Sequence, residues 1–392
     1  MLLIFTVICV ALVFEYINGF HDTANSIATV VATKVLTPGQ AVILAAATNL
    51  VGAFFGVAVA TTIASGLVDA QVATMPVLCC ALLGAIAWDL LTWWFGLPSS
   101  SSHALIGGLC GAVLAASGNR WSSIIWSIPG KVHWWDGKGI LWKVIFPMIS
   151  SPLIGFIVGL LLMTLLYLLL RNWKPVTVNR TFGVLQLFSA GYMGFAHGTN
   201  DAQKTMGVIT LALVAATKAG LLATVPHWLS WLQTPEGTPV NHMAPVAWVI
   251  THLPTWLQFG YQPPPVEDVK KQFIPAWVTF VCALTMCAGT AVGGWRIIKT
   301  LGHKMVRLHP VQGFAAEATG ATVIFAASHF GMPVSTTHAI SATIMGVGCA
   351  KGFKSLKLYV VERILWAWVL TLPASAAVAY VLVMGARACG WL

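Results

Sequence analysis

Charge is what this chain has least of. Only 8% of its 392 residues are Asp, Glu, Lys or Arg, against 58% hydrophobic, where a soluble domain carries about 25% charged residues. That balance excludes a water-soluble fold and reads as a multi-span membrane protein. Acids number only 11, so each one inside an apolar run demands a reason. C-x-x-C spacing is missing, and the eight cysteines lie in apolar stretches, where they read as small buried hydrophobes rather than disulfides or metal ligands. Residues 1–16 lack a basic n-region and read as a retained first span, not a cleavable signal. The net charge of +10 does not call for nucleic acid. Lys and Arg collect in short loops at 171–180, 296–307 and 351–363, the pattern of loops facing anionic lipid; their count leaves the absolute membrane orientation open.

Two polar stretches interrupt the apolar runs. Residues 194–205 read G-F-A-H-G-T-N-D-A-Q-K-T and put Asn200, Asp201 and Lys204 near the middle of an apolar segment from 184 to 216. Residues 19–26 read G-F-H-D-T-A-N-S and carry His21, Asp22 and Asn25. Superposing Asp22 on Asp201 aligns an upstream Gly and a polar residue three positions beyond the acid. A charge at mid-membrane costs at least ~2.5 kcal/mol on insertion scales and marks a functional site by default. The glycines predict that both helices break at these motifs. A broken helix offers free N–H groups to anions and free C=O groups to cations.

A second device also occurs twice. Residues 98–103 read P-S-S-S-S-H and residues 333–338 read P-V-S-T-T-H, each between an apolar run and a Gly-rich one. Both predict a hydroxyl-bearing hairpin tip, with Ser100, Ser101 and Ser102 in one half and Ser335, Thr336 and Thr337 in the other. Hydroxyls at a helix start suit a tetrahedral oxyanion. The expected fold is an all-α polytopic membrane protein. It has an inverted-topology repeat, broken helices, two hydroxyl-tipped helical hairpins and roughly 10–12 membrane segments. The expected division is a first repeat at 1–116, a connector and linking span at 117–180, and a second repeat at 181–386 with a polar insert at 217–274.

The substrate-binding candidates are Asp22, Asn25, Asn200, Asp201, Lys204 and the six tip hydroxyls. Coupling-cation candidates are Asp22, Asn25, Asn200, Asp201, Glu317 (a third acid, in A-A-E-A-T-G-A) and His21. Asp89, within W-D-L-L-T-W-W, fits interfacial anchoring as well as function. No resident metal or cofactor is expected, and no nucleophile–base pair marks an enzyme.

The four motifs, in order G-F-H-D-T-A-N-S, L-P-S-S-S-S-H, H-G-T-N-D-A-Q-K-T and G-M-P-V-S-T-T-H, resemble those of the PiT family of inorganic phosphate transporters. The resemblance covers nearly the whole chain apart from 117–143 and 217–274. It implies a cation-coupled symporter of inorganic phosphate in a bacterial inner membrane, in which the tips meet the Asp motifs at the centre. Sulfate permeation on the same fold and symport of a metal–phosphate complex stay open, as does self-association. The chain departs from the family's N-D-x-x-N twice, with His21 before Asp22 and Lys204 after Asp201. A fixed ammonium there predicts fewer metal cations per phosphate, with protons rather than Na⁺ as the favoured coupling ion.

Overall fold

The computed structural model describes residues 2–130, 137–222, 229, 232 and 274–391. Among them lie twelve α-helices and no strand; two isolated bridges join Val68 to Ile124 and Ile128 to Lys138. Most of the insert at 217–274 lies outside the described residues. Four helical stretches are long and apolar enough to cross a membrane: α1 (Leu2–Ala32), α4 (Met75–Phe95), Leu141–Leu170 with α6 (Phe146–Leu170), and α12 (Leu358–Ala388). The pair α8 (Ala276–Val292) and α9 (Trp295–Lys299), bent by 56°, makes a fifth. α7 (Pro175–Lys218) and α10 (Pro310–His329) do not qualify, because polar residues such as Gln203, Lys204, Gln312 and Glu317 lower their mean hydropathy. These residues are buried against protein, not lipid.

Neither Asp motif breaks its helix, which corrects the sequence expectation. α1 and α7 run continuously through 19–26 and 194–205. The glycines serve close packing instead. A Cβ on Gly19 would collide with Met286 O and Gly289, and one on Gly198 would collide with Asn49 of α2 (Pro38–Gly52). Small residues let backbones approach in lipid, and that gain outweighs the ~1 kcal/mol helix cost of a glycine. The breaks fall one element later in each half. The run at 40–63 splits into α2 and α3 (Ala58–Ser65), with Gly56 at φ +89° in the gap. The run at 275–298 splits at Gly293, φ +77°. The loop expected at 171–180 is shorter than its sequence suggests, because α7 already begins at Pro175.

α1 and α7 cross in opposite directions. Glu15 meets Thr205, and Thr33 meets Gln186, so rising numbers on one helix pair with falling numbers on the other. The tip helices are exchanged between halves. α5 (Ser101–Ala116) packs on α12, and α11 (Thr336–Cys349) packs on α6. Both starts, at Ser101 and Thr336, are thereby carried into the protein's interior, where every residue from Ser99 to Leu105 and from Met332 to Ser341 is buried.

Candidate functional site

The two tips meet each other and the Asp motifs at one buried locus. Ser102 Oγ donates to Val334 O at 3.1 Å, and the rings of His103 and His338 lie edge to face with centroids 4.8 Å apart. Ser100 Oγ accepts from His103 N at 3.2 Å, and Ser335 Oγ accepts from His338 N at 3.1 Å. These two residues are therefore N-caps, a structural task, although each hydroxyl keeps a proton to donate. Capping leaves the first-turn N–H groups of Ser101, Ser102, Thr336 and Thr337 outside the helix bonding pattern. Two helix N-termini, each with positive dipole character, thus converge on the same point.

The second tip bridges both acids. Asn25 Nδ2 donates to Thr336 Oγ1 at 3.1 Å and to Thr337 Oγ1 at 2.9 Å. Thr336 Oγ1 then donates toward Asp201 Oδ2, and Thr337 Oγ1 toward Asp22 Oδ1, each at 3.4 Å. Asn200 is best satisfied with its NH₂ toward Val334 O (3.1 Å) and Asp201 Oδ1 (3.3 Å), its oxygen accepting from Ser328. Lys204 Nζ lies 2.7 Å from Asp201 Oδ1, one turn away on α7. His21 Nδ1 lies 2.7 Å from Asp22 Oδ1, and its Nε2 reaches Thr92 Oγ1 at 3.1 Å.

Not every expected residue joins this cluster. Glu317 is fully buried, but its carboxylate takes hydrogen bonds from Thr29, Gln186 (3.0 Å) and Ser189 (2.5 Å). Thr29 stands two turns beyond Asp22, about 10 Å along the helix, so Glu317 occupies a nest of its own. Ser101, at the first tip, is fully buried, and its hydroxyl has no hydrogen-bond partner among the described residues. Asp89 of α4 is also wholly buried.

Two participants were not among the expected site residues. His197 lies 3.5 Å from Asp201 through Nε2, and its Nδ1 faces Asn49 Oδ1 at 3.2 Å. Ligand atoms of Asp22, His197 and Asp201 all fall within 4.8 Å of one another, a spacing that could hold a cation. The available signal was the i, i+4 spacing of His197 and Asp201, which puts both on one helix face. Thr92 carried no local signal. Gln203, by contrast, is structural: its Oε1 accepts from Val59 N (2.9 Å) and Ala60 N (3.3 Å), capping the start of α3 where Val57 supplies no side-chain cap.

Chemically, the locus offers two carboxylates, one fixed ammonium, two imidazoles on the acids and two more at the tips, several hydroxyls and two helix N-termini, all shielded from solvent. Such a set can hold a tetrahedral oxyanion together with protons or a small cation. Comparisons with known proteins agree with this chemistry. The chain is 40% identical over 384 residues to a "Probable low-affinity inorganic phosphate transporter" of Bacillus subtilis, covering 97% of this chain and 96% of that one. It is 29% identical over 486 aligned positions to the "Low-affinity inorganic phosphate transporter PitB" of Escherichia coli, covering 95% and 94%. A solved structure, "The sodium-dependent phosphate transporter", superposes with TM-score 0.73 over 99% of this chain and 100% of that one, at 20% identity, which establishes a shared fold. The model of the Phosphate transporter family matches residues 18–379. This multi-pass, all-helical membrane protein therefore belongs to the phosphate transporter family, and it is a transporter rather than an enzyme.

Proposed function

We propose that the protein imports inorganic phosphate across a bacterial inner membrane by cation symport, with the proton as the favoured coupling ion. The carrying observation is the bridge from Asn25 through Thr336 and Thr337 to Asp201 and Asp22. It joins one tip to both acids, so an anion entering between them meets hydroxyl donors and carboxylates together. The opposed directions of α1 and α7 and the exchanged tip helices support an inverted-repeat reading, and hence alternating access about this locus. In that reading Asp22, Asn25, Asn200, Asp201 and the tip hydroxyls hold substrate and coupling ion.

Proton coupling rests on what already faces the acids. Lys204 stands on Asp201, His197 approaches the same carboxylate, and His21 stands on Asp22. Two imidazoles that each accept a proton would offset the charge of a phosphate dianion without a metal ion. The second reading is Na⁺ coupling or carriage of a metal–phosphate complex, and the Asp22–His197–Asp201 group favours it. The structural neighbour is named for its sodium dependence.

Near neutral pH phosphate keeps at least one proton and can donate it to a carboxylate, whereas sulfate is a pure acceptor. Uptake in proteoliposomes, with anion, Na⁺ and pH varied independently, tests the whole reading. Saturable phosphate uptake inhibited by arsenate but not by sulfate is expected. Strong sulfate competition would instead identify a sulfate permease.

A further inference from the structure

The central locus uses only part of a longer polar stripe on α1. Glu15, Asn18, Asp22, Asn25 and Thr29 recur at alternating steps of three and four, the spacing by which one helix faces another, and all are buried. From 15 to 29 the stripe runs about 20 Å along the helix. Asp22 and Asn25 belong to the central locus, and Thr29 donates to Glu317. Glu15 and Asn18 belong to neither group, and Glu15 stands two turns, about 10 Å, from Asp22.

These two side chains are wholly buried and incompletely satisfied. Thr205 Oγ1 of α7 donates to Glu15 Oε2 at 2.5 Å. Glu15 Oε1 and both polar atoms of the Asn18 amide have no hydrogen-bond partner among the described residues. One and two turns back along the stripe, Ala11 and Ile8 are buried hydrophobes. A carboxylate in such surroundings needs a proton or a counter-charge. The charged and titratable groups within electrostatic reach of Glu15 are Asp201 and Lys204 on α7 and the Cys282 thiol on α8; α4 brings the buried Asp89, and α2 brings none. Among these only Lys204 is a cation, and it stands on Asp201 at 2.7 Å.

We infer that Glu15, with Asn18, is a second proton-binding site of the transport cycle, separate from the central locus and linked to it through Lys204. The inference rests on the proton-coupled reading above. Thr205, which holds Glu15, directly follows Lys204 and lies one turn beyond Asp201 on the same face of α7. When Glu15 gives its proton to water, its carboxylate competes with Asp201 for the Lys204 ammonium. When it takes a proton from the proton-rich side, Lys204 returns to Asp201 alone. Proton occupancy at Glu15 thus sets the charge that phosphate meets at Asp201, although the proton never touches the phosphate. A hard metal cation fits the pair less well, because it takes about six or more oxygen ligands.

The test separates net uptake from exchange in Na⁺-free proteoliposomes. Wild type should accumulate phosphate under an inward proton gradient, and should exchange internal for external phosphate at equal pH. Glu15→Gln keeps an acceptor for the Thr205 hydroxyl but cannot release a proton. It should lose accumulation and retain exchange. Glu15→Asp keeps an acid with a shorter reach, and should accumulate phosphate with a shifted external-pH profile and near wild-type exchange. Wild-type accumulation by Glu15→Gln overturns the inference, as does loss of its exchange together with accumulation. An Asp-variant pH profile that overlays wild type overturns it too, even where the Gln variant fails to insert. Wild type that accumulates phosphate only with Na⁺ overturns the proton-coupled reading, and this inference with it, before any variant is measured.

Discussion

Lys204 and Asp201 form an ion pair of 2.7 Å in which both side chains are completely buried. They sit one turn apart on α7, inside the apolar run from 184 to 216, where the Lys204 stem is too short to reach water. Leaving either partner alone would strand a charge in a low-dielectric interior, a change that typically costs 3–5 kcal/mol, or about that, in buried pairs. The pair therefore tethers one of the two central acids permanently. Asp22 is held differently, by an imidazole that can gain or lose a proton. This asymmetry between otherwise matching halves underlies the coupling proposal.

Lys204→Asn restores the residue type of the family motif but leaves Asp201 without its ammonium, so the variant should lose stability unless a cation replaces that charge, and its ion dependence should change. Uptake by wild type is expected in Na⁺-free proteoliposomes under an inward proton gradient. The variant should acquire a Na⁺ requirement. Absence of wild-type uptake without Na⁺ would falsify proton coupling.

Asp22→Asn and Asp201→Asn should each nearly abolish phosphate uptake while the protein still inserts. Each acid receives a threonine hydroxyl of the same tip, so losing one carboxylate disables a shared site. Radiolabelled phosphate uptake, normalised to membrane-inserted protein, is the measurement. Near-normal rates in either variant would show that the acids do not share a site.

Thr336→Ala should raise the half-saturating phosphate concentration about tenfold or more, because a hydrogen bond to a charged group contributes roughly 1.5–3 kcal/mol. Ser101→Ala should act in the same direction from the opposite tip. Saturation curves that overlay the wild type in both would return the tips to packing and capping alone.

Gly289→Ala tests the close approach of α1 and α8. A Cβ there would run into the Tyr16 carbonyl and Gly19, and forcing such a contact costs about 1–3 kcal/mol. Thermal unfolding in detergent should show a lower midpoint. Gly385→Ala, where a Cβ meets nothing within 4 Å, should leave the midpoint in place.

Local patterns carried much of this in the linear chain. Scarcity of charge imposed the membrane. Two Asp motifs and two hydroxyl tips, each a run of adjacent residues, announced where polar chemistry had to lie, because intramembrane polarity is too costly to be incidental. The Lys204–Asp201 contact was also within reach, since three residues on a helix bring side chains to one face. Tertiary structure decided the rest. Asn25 and Thr336 are 311 residues apart, and no local pattern specifies that they touch. Helix continuity through the motifs was decided in three dimensions: side chains of their own helices together with the threonine hydroxyls of α11 satisfy Asp22 and Asp201, so the backbone need not open, and the glycines read as breakers are contact points. Gln203 became a cap for α3, and Glu317 was drawn into a nest of Thr29, Gln186 and Ser189. Residue types in sequence dictate what must be buried and satisfied, whereas the partner that satisfies each one depends on which backbones small residues allow to approach.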